Sequence, residues 1–138
     1  MSTEEQAEAY LREAELTLNS AHAIYNSASE QHEELWAQVV KNGYDAIEQA
    51  ISAAIAAEDE SIPRAHPAKI NRFVELHHPE DELENQLLHW LRRRSDTQYV
   101  DIRDDEINVP HRQFDQDDAE TILEDAENVL ERIRDHIK

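Results

Sequence analysis

Apolar side chains recur three and four residues apart over most of this chain. From Ala7 they fall at Tyr10, Leu11, Ala14, Leu18, Ala21, Tyr25 and Ala28, with Glu8, Arg12, Glu15 and Asn19 on the other side. That spacing builds one buried helical face. Ser2 with Glu5 and Thr3 with Gln6 both fit a capping box at its start, and Asn26-Ser27-Ala28-Ser29 predicts fraying at its end. A second helix is expected from about Gln31 to Ala57, with Leu35, Trp36, Val39, Val40, Ile47, Ala50, Ile51, Ala54 and Ile55 as its stripe. Gly43 lies inside it at a cost of about 1 kcal/mol relative to alanine, so it marks either a close helix contact or a break. The alanine-rich half from Ala46 to Ala57 suits a central, tightly approached helix.

Glu58 to His66 reads as a loop, and His66-Pro67 as a helix start, where a proline's missing N–H does no harm. Ile70, Phe73, Val74 and His77 then face inward. His78-Pro79-Glu80-Asp81-Glu82 opens a fourth helix with three acids at the positive end of its dipole. Leu83, Leu87, Trp90 and Leu91 line that helix, which is expected to end near Arg94. Thr97 to Phe114 reads as a long irregular connection with extended character, and connections of that length in compact domains are more often functional than accidental. Asp115 is positioned to cap a last helix carrying Ala119, Ile122, Leu123, Ala126, Val129, Leu130, Ile133 and Ile137. The pattern predicts an all-α fold, an antiparallel up-and-down bundle of four to five helices in a single domain spanning 1–138.

Composition changes this picture in one respect. Thirteen basic against thirty-two acidic residues give a formal charge of −19. Carboxylate excess spread along the whole chain, with arginine favoured over lysine, resembles the composition of halophilic archaeal proteins, in which molar salt screens self-repulsion to a Debye length of about 3 Å. A basic partner is the rival reading. In either case the global field repels nucleic acid, and any phosphate contact needs a local positive island. The absence of cysteine excludes disulfides and thiolate metal sites. No run reaches the roughly 18 apolar residues of a membrane span, and the acidic N-terminus does not resemble a secretory signal. The expected location is cytoplasmic.

The positive island is Arg92-Arg93-Arg94, within the segment from Trp90 to Asp101. Three consecutive guanidiniums at a helix end point in different directions and cannot all pair with one neighbour. Guanidinium matches phosphate oxygens in a bidentate manner. The plainer account is a favourable dipole at a helix C-terminus together with surface ion pairs.

The helix order, the Ala46-Ile47-Glu48-Gln49-Ala50-Ile51 run, the His66-Pro67 start and the Arg-rich end leading to Gln98-Tyr99-Val100-Asp101 resemble a HEPN domain (higher eukaryotes and prokaryotes nucleotide-binding). The ribonuclease branch of that family has arginine, four to six residues, then histidine. Laid on this chain, Arg92 takes the arginine position, Thr97 stands where the histidine would be, and Tyr99 matches a tyrosine two residues on. A threonine hydroxyl does not exchange protons near neutral pH. The resemblance is better to the branch with arginine and tyrosine alone, here Arg94 and Tyr99. It implies a homodimer, a minimal nucleotidyltransferase partner encoded as a two-gene, toxin–antitoxin-type pair, nucleotide or RNA phosphates held by Arg92, Arg93 and Arg94, and Tyr99 as a site of nucleotidylation. An active ribonuclease with a rearranged site, using Arg92 and His89, is the second expectation. A protein-interaction bundle with no nucleotide role is the third. His66, His77 and His78 are explained as capping and loop residues. The single Glu75-x-x-His78 spacing lacks the second copy that a di-iron bundle needs, so no metal and no cofactor are expected. Trp36 and Trp90 are expected in the core or at a dimer interface.

Overall fold

The computed structural model describes residues 3–97, 100–103 and 106–137. Helix α1 (Thr3–Gln31) buries Ala7, Leu11, Ala14, Leu18, Ala21 and Ala28, the face that the spacing requires. It does not fray at 26–29, because Ala28 is fully buried and the helix closes in an orderly way beyond it. His32 adopts a left-handed backbone with φ 55°, and the Glu33 N–H reaches back to the Ala28 carbonyl at 3.1 Å. This is a Schellman closure with histidine in the place glycine usually takes. Helix α2 (Trp36–Ala57) therefore starts later than Gln31. The expected capping role of Thr3 is also corrected: its hydroxyl donates to Asp59 Oδ1 at 2.9 Å and ties the start of α1 to the end of α2. Ser2 lies outside the described residues.

Helix α2 is the axis of the molecule. It packs against α1, α3 and the last helix, and most of its residues from Ala37 to Ala56 are buried, with Ala50 to Ala56 buried without interruption. Gly43 is there for closeness. A Cβ built on it would lie 2.7 Å from Ile122 Cγ1, inside the van der Waals limit. Gly43→Ala is therefore expected to destabilise the fold by about 1–3 kcal/mol through overpacking, although alanine is the better helix former. A chemical-denaturation midpoint that rises in the variant would refute this.

Helix α3 (His66–His77) has the predicted start, with Pro67 in its first turn, whereas α4 (Asp81–Arg93) begins beyond Pro79, with Glu80 as its N-cap and Asp81, Glu82 and Glu84 in its first turn. A 3-10 turn, Arg94–Thr97, extends α4. The connection beyond it is more regular than expected. Strands β1 (Asp101–Arg103) and β2 (Glu106–Asn108) pair antiparallel with Ile102 opposite Ile107, and a one-turn helix α5 (Pro110–Gln113) follows. Helix α6 (Gln116–Ile137) completes the bundle. Its cap is the one the sequence predicts. Asp115 Oδ1 accepts the Asp118 N–H at 2.9 Å while Asp118 Oδ2 accepts the Asp115 N–H at 3.0 Å, a reciprocal box with aspartate at both ends. These backbone hydrogen bonds from Asp118 and its neighbours hold the Asp115 carboxyl below the usual range.

Contacts along α1 and α6 fix their sense. Arg134 donates to Glu15 at 3.1 Å, His22 to Glu127 at 2.9 Å and Tyr25 to Glu120 at 2.6 Å. Numbers rise on one helix as they fall on the other, so the pair is antiparallel. The fold is an all-α bundle around one continuous apolar core. Among the described residues, no helix is long and apolar enough to cross a membrane.

Candidate functional site

The arginine run sits where α4 is clamped to the N-terminal half of α6. Trp90 is buried and its indole Nε1–H donates to Asp125 Oδ2 at 2.8 Å. Burial pushes the Asp125 carboxyl above its ordinary value, and the Trp90 hydrogen bond works against that rise. One turn on, Arg93 is held at three points. Its Nη1 donates to Asp118 at 3.3 Å, its Nη2 donates to the Gln113 carbonyl at 2.6 Å, and its guanidinium carbon lies 4.3 Å from the Phe114 ring centroid. Asp118 is also half of the α6 capping box, so Arg93 ties α4, α5 and α6 together. Among the described residues, it is the one of the three arginines that pairs with a carboxylate.

Its neighbours differ. Arg92 is exposed and forms no ion pair with a carboxylate of the described residues. Arg94 is half-buried and turns towards α2, where its charge favours ionisation of Tyr44 and Asp45 without a close salt bridge among the described residues. Thr97 is buried, and its hydroxyl donates to the Arg94 carbonyl at 2.6 Å. The residue in the histidine position of the ribonuclease motif thus closes the 3-10 turn. Tyr99 lies outside the described residues. His89 is exposed on α4 with its ring at 73° to Trp90, centroids 4.6 Å apart, and its charge acts on Asp125. Trp90 is a core residue. Trp36 is half-buried against Tyr25, ring centroids 5.6 Å apart.

A second polar group lies on α2 beside Arg94. Glu48 is buried on α2 among Ile47, Ala50 and Ile51. His66 Nδ1–H donates to its Oε2 at 2.5 Å, and Lys69 Nζ donates to its Oε1 at 2.8 Å. Burial works to raise the Glu48 carboxyl, but the hydrogen bonds from Lys69 and His66 and the lysine charge outweigh it and hold the group below the ordinary range. His66 is therefore more than a helix-start residue. Tyr44, one turn before Glu48, is buried with its ring edge-on to His66 at 6.4 Å. Its hydroxyl has no hydrogen-bond partner within the described residues, and burial and the neighbouring Glu48 charge push it well above 10. Asp45 is raised by burial, with Lys41 and Arg94 opposing. The sequence signal for this group was a glutamate amid alanine and isoleucine on the most apolar helix, one turn after a tyrosine.

An all-α bundle with an arginine-bearing end on the helix before the long connection is the arrangement expected from the resemblance, and the HEPN domain family model matches residues 7–136. The chain belongs to the HEPN domain family. No curated protein matches it. The HEPN match runs from the first buried residue of α1 to the last turn of α6, so the hairpin and the arginine end both lie inside it.

Proposed function

We propose that this HEPN domain acts with a nucleotidyltransferase partner and holds nucleotide or RNA phosphates at the end of α4, chiefly through Arg92 and Arg94. Arg93 positions them. The observation that carries this reading is the contrast within the run: in a chain of charge −19, the central guanidinium is consumed by Asp118 and Gln113 while its two neighbours make no ion pair with a described carboxylate. Such charges attract anions locally even though the whole molecule repels them. Thr97, closed onto the Arg94 carbonyl, offers no imidazole for RNA cleavage, which favours a binding role over the ribonuclease role. The exposed apolar side chains of Val100 and Ile107 beside this end suit a homodimer that brings two arginine ends together.

In this reading the partner transfers AMP from ATP to the Tyr99 oxygen, with pyrophosphate leaving. Titration with a short single-stranded RNA and with ATP at low salt tests the phosphate site. Arg92→Ala and Arg94→Ala are each expected to weaken binding about tenfold or more, the value of a charge-assisted hydrogen-bond pair. Arg12→Ala, which removes an exposed arginine paired with Glu15 on α1, is the control. Wild-type protein that binds neither ligand, or an Arg12→Ala loss equal to the other two, would overturn the proposal. Intact-mass analysis after co-expression with the partner reads out Tyr99, using Tyr99→Phe as the blank. RNA decay abolished by Arg92→Ala or His89→Ala would instead establish the ribonuclease reading.

A further inference from the structure

Three helices end at one place on the molecule, remote from the arginines. Glu58 is the C-cap of α2, His77 is the last residue of α3, and His136 stands in the last turn of α6. One donor atom from each lies within 4.8 Å of the other two. The site is at the opposite end of α4 from Arg92–Arg94, and thirteen residues of α-helix separate the ends by about 20 Å.

The protonation of His77 follows from its partners. Its Nε2 lies 3.0 Å from the Ala54 carbonyl oxygen, which only accepts, so Nε2 carries the hydrogen. In the neutral ring Nδ1 then has a lone pair, and it points at His136 Nε2, 2.7 Å away. The ring is held further by Phe73, 5.2 Å away and tilted by 31°. An imidazole fixed by an N–H to backbone-carbonyl bond, with its free nitrogen aimed at a second imidazole and a carboxylate within 4.8 Å of the pair, is the second-shell arrangement of metal-ligating histidine. The partial negative charge of three helix C-termini adds a field that favours a cation there.

We infer that Glu58, His77 and His136 form a binding site for a divalent transition metal, with zinc the best match to two imidazole nitrogens and one carboxylate oxygen. Two nitrogens on one tetrahedral zinc stand about 3.3 Å apart. The pair must therefore open slightly from 2.7 Å, which a small rotamer change of the exposed His136 side chain supplies. Three protein ligands leave a fourth position. The two histidines also line a cavity of about 210 Å³, with Ala54, Phe73, His78, Glu80 and Arg132, while Glu58 lies outside that lining. Spacing along one helix does not reveal this set, because its ligands come from three helices. The Glu75 of the Glu-x-x-His pattern is instead paired with Arg72.

The competing account is a plain hydrogen bond, His136 Nε2–H to His77 Nδ1, with no metal. Calorimetric titration of chelator-treated protein with Zn²⁺ separates the two, alongside melting curves with Zn²⁺ or EDTA. One equivalent is expected to bind and to raise the melting temperature. His136→Ala and Glu58→Gln, both at exposed side chains, are expected to melt like wild type in EDTA and to bind Zn²⁺ at least about tenfold more weakly. His89→Ala is expected to bind as wild type does. Absence of Zn²⁺ binding by the wild type, or His136→Ala binding with wild-type affinity, overturns the site, the latter by placing the ion at another histidine. Loss of RNA binding in Arg92→Ala leaves this result untouched, so the two proposals fail independently.

Discussion

Trp90→Ala is expected to remove about 3–5 kcal/mol of stability, the usual cost of deleting a large buried aromatic. Trp90 is among the largest fully buried side chains of the molecule. It is also the point where α4 meets α6 through the indole–Asp125 hydrogen bond. The loss has two components. The cavity forfeits dispersion contacts that the packed core does not recover by collapse, and Asp125, partly buried and already raised by desolvation, loses its donor. Trp90→Phe separates them. It keeps much of the apolar volume and removes only the N–H, so a smaller loss of about 1–3 kcal/mol is expected from the orphaned acceptor. Equilibrium denaturation measures both. A Trp90→Ala loss within about 0.5 kcal/mol, the range of an ordinary surface change, would show that α4 is not anchored as described. If the end of α4 binds phosphate as proposed, Trp90→Ala, one turn before Arg93, is also expected to weaken that binding without touching an arginine.

The second large effect is at Glu48. Replacing it with glutamine leaves the Lys69 ammonium and His66 facing a neutral amide in a site where the carboxylate had two donors. Breaking a buried pair by removing one partner costs roughly 3–5 kcal/mol. The lower part of that range is expected, because the His66 side chain is 37% exposed and the pair is partly screened. The effect has a signature in pH. The folded carboxyl titrates below the unfolded one, so the unfolded chain binds the proton more readily as pH falls. The contribution of Glu48 is complete above the unfolded value of about 4.3 and is lost as pH falls through the folded value. The stability gap between wild type and Glu48→Gln is therefore expected to be widest near neutrality and to close on acidification below about pH 4. Denaturation curves at several pH values give the gap directly. A gap that stays constant, or widens in acid, contradicts the assigned network.

The arginine run illustrates how far residue order goes at a site. Its position at a helix end, before a long connection, is legible because Leu83, Leu87, Trp90 and Leu91 keep helical spacing up to it. Which guanidinium is available is not legible. That depends on Asp118 and Gln113, twenty or more residues further on and placed against Arg93 only when α5 and α6 fold back. The pairing of β1 with β2 is not legible for a similar reason. These strands are too short to show an alternating pattern, so extended character was all that composition revealed. The partners of Glu48 and of His77 are not legible in the sequence because they lie on other helices.

Local order along the chain determined the helices themselves, the buried stripe of α1, the reciprocal Asp115–Asp118 cap and the alanine-rich axis at α2. These follow from interactions between residues three or four apart, whose geometry any helix supplies. Tertiary structure alone decided the rest: that Gly43 admits Ile122, that among the described residues Arg93 finds an acidic partner while Arg92 and Arg94 do not, that Glu48 receives two cationic donors, and that three helix ends meet at His77. Each depends on the relative placement of helices, which is set by how whole faces pack rather than by any nearby residue.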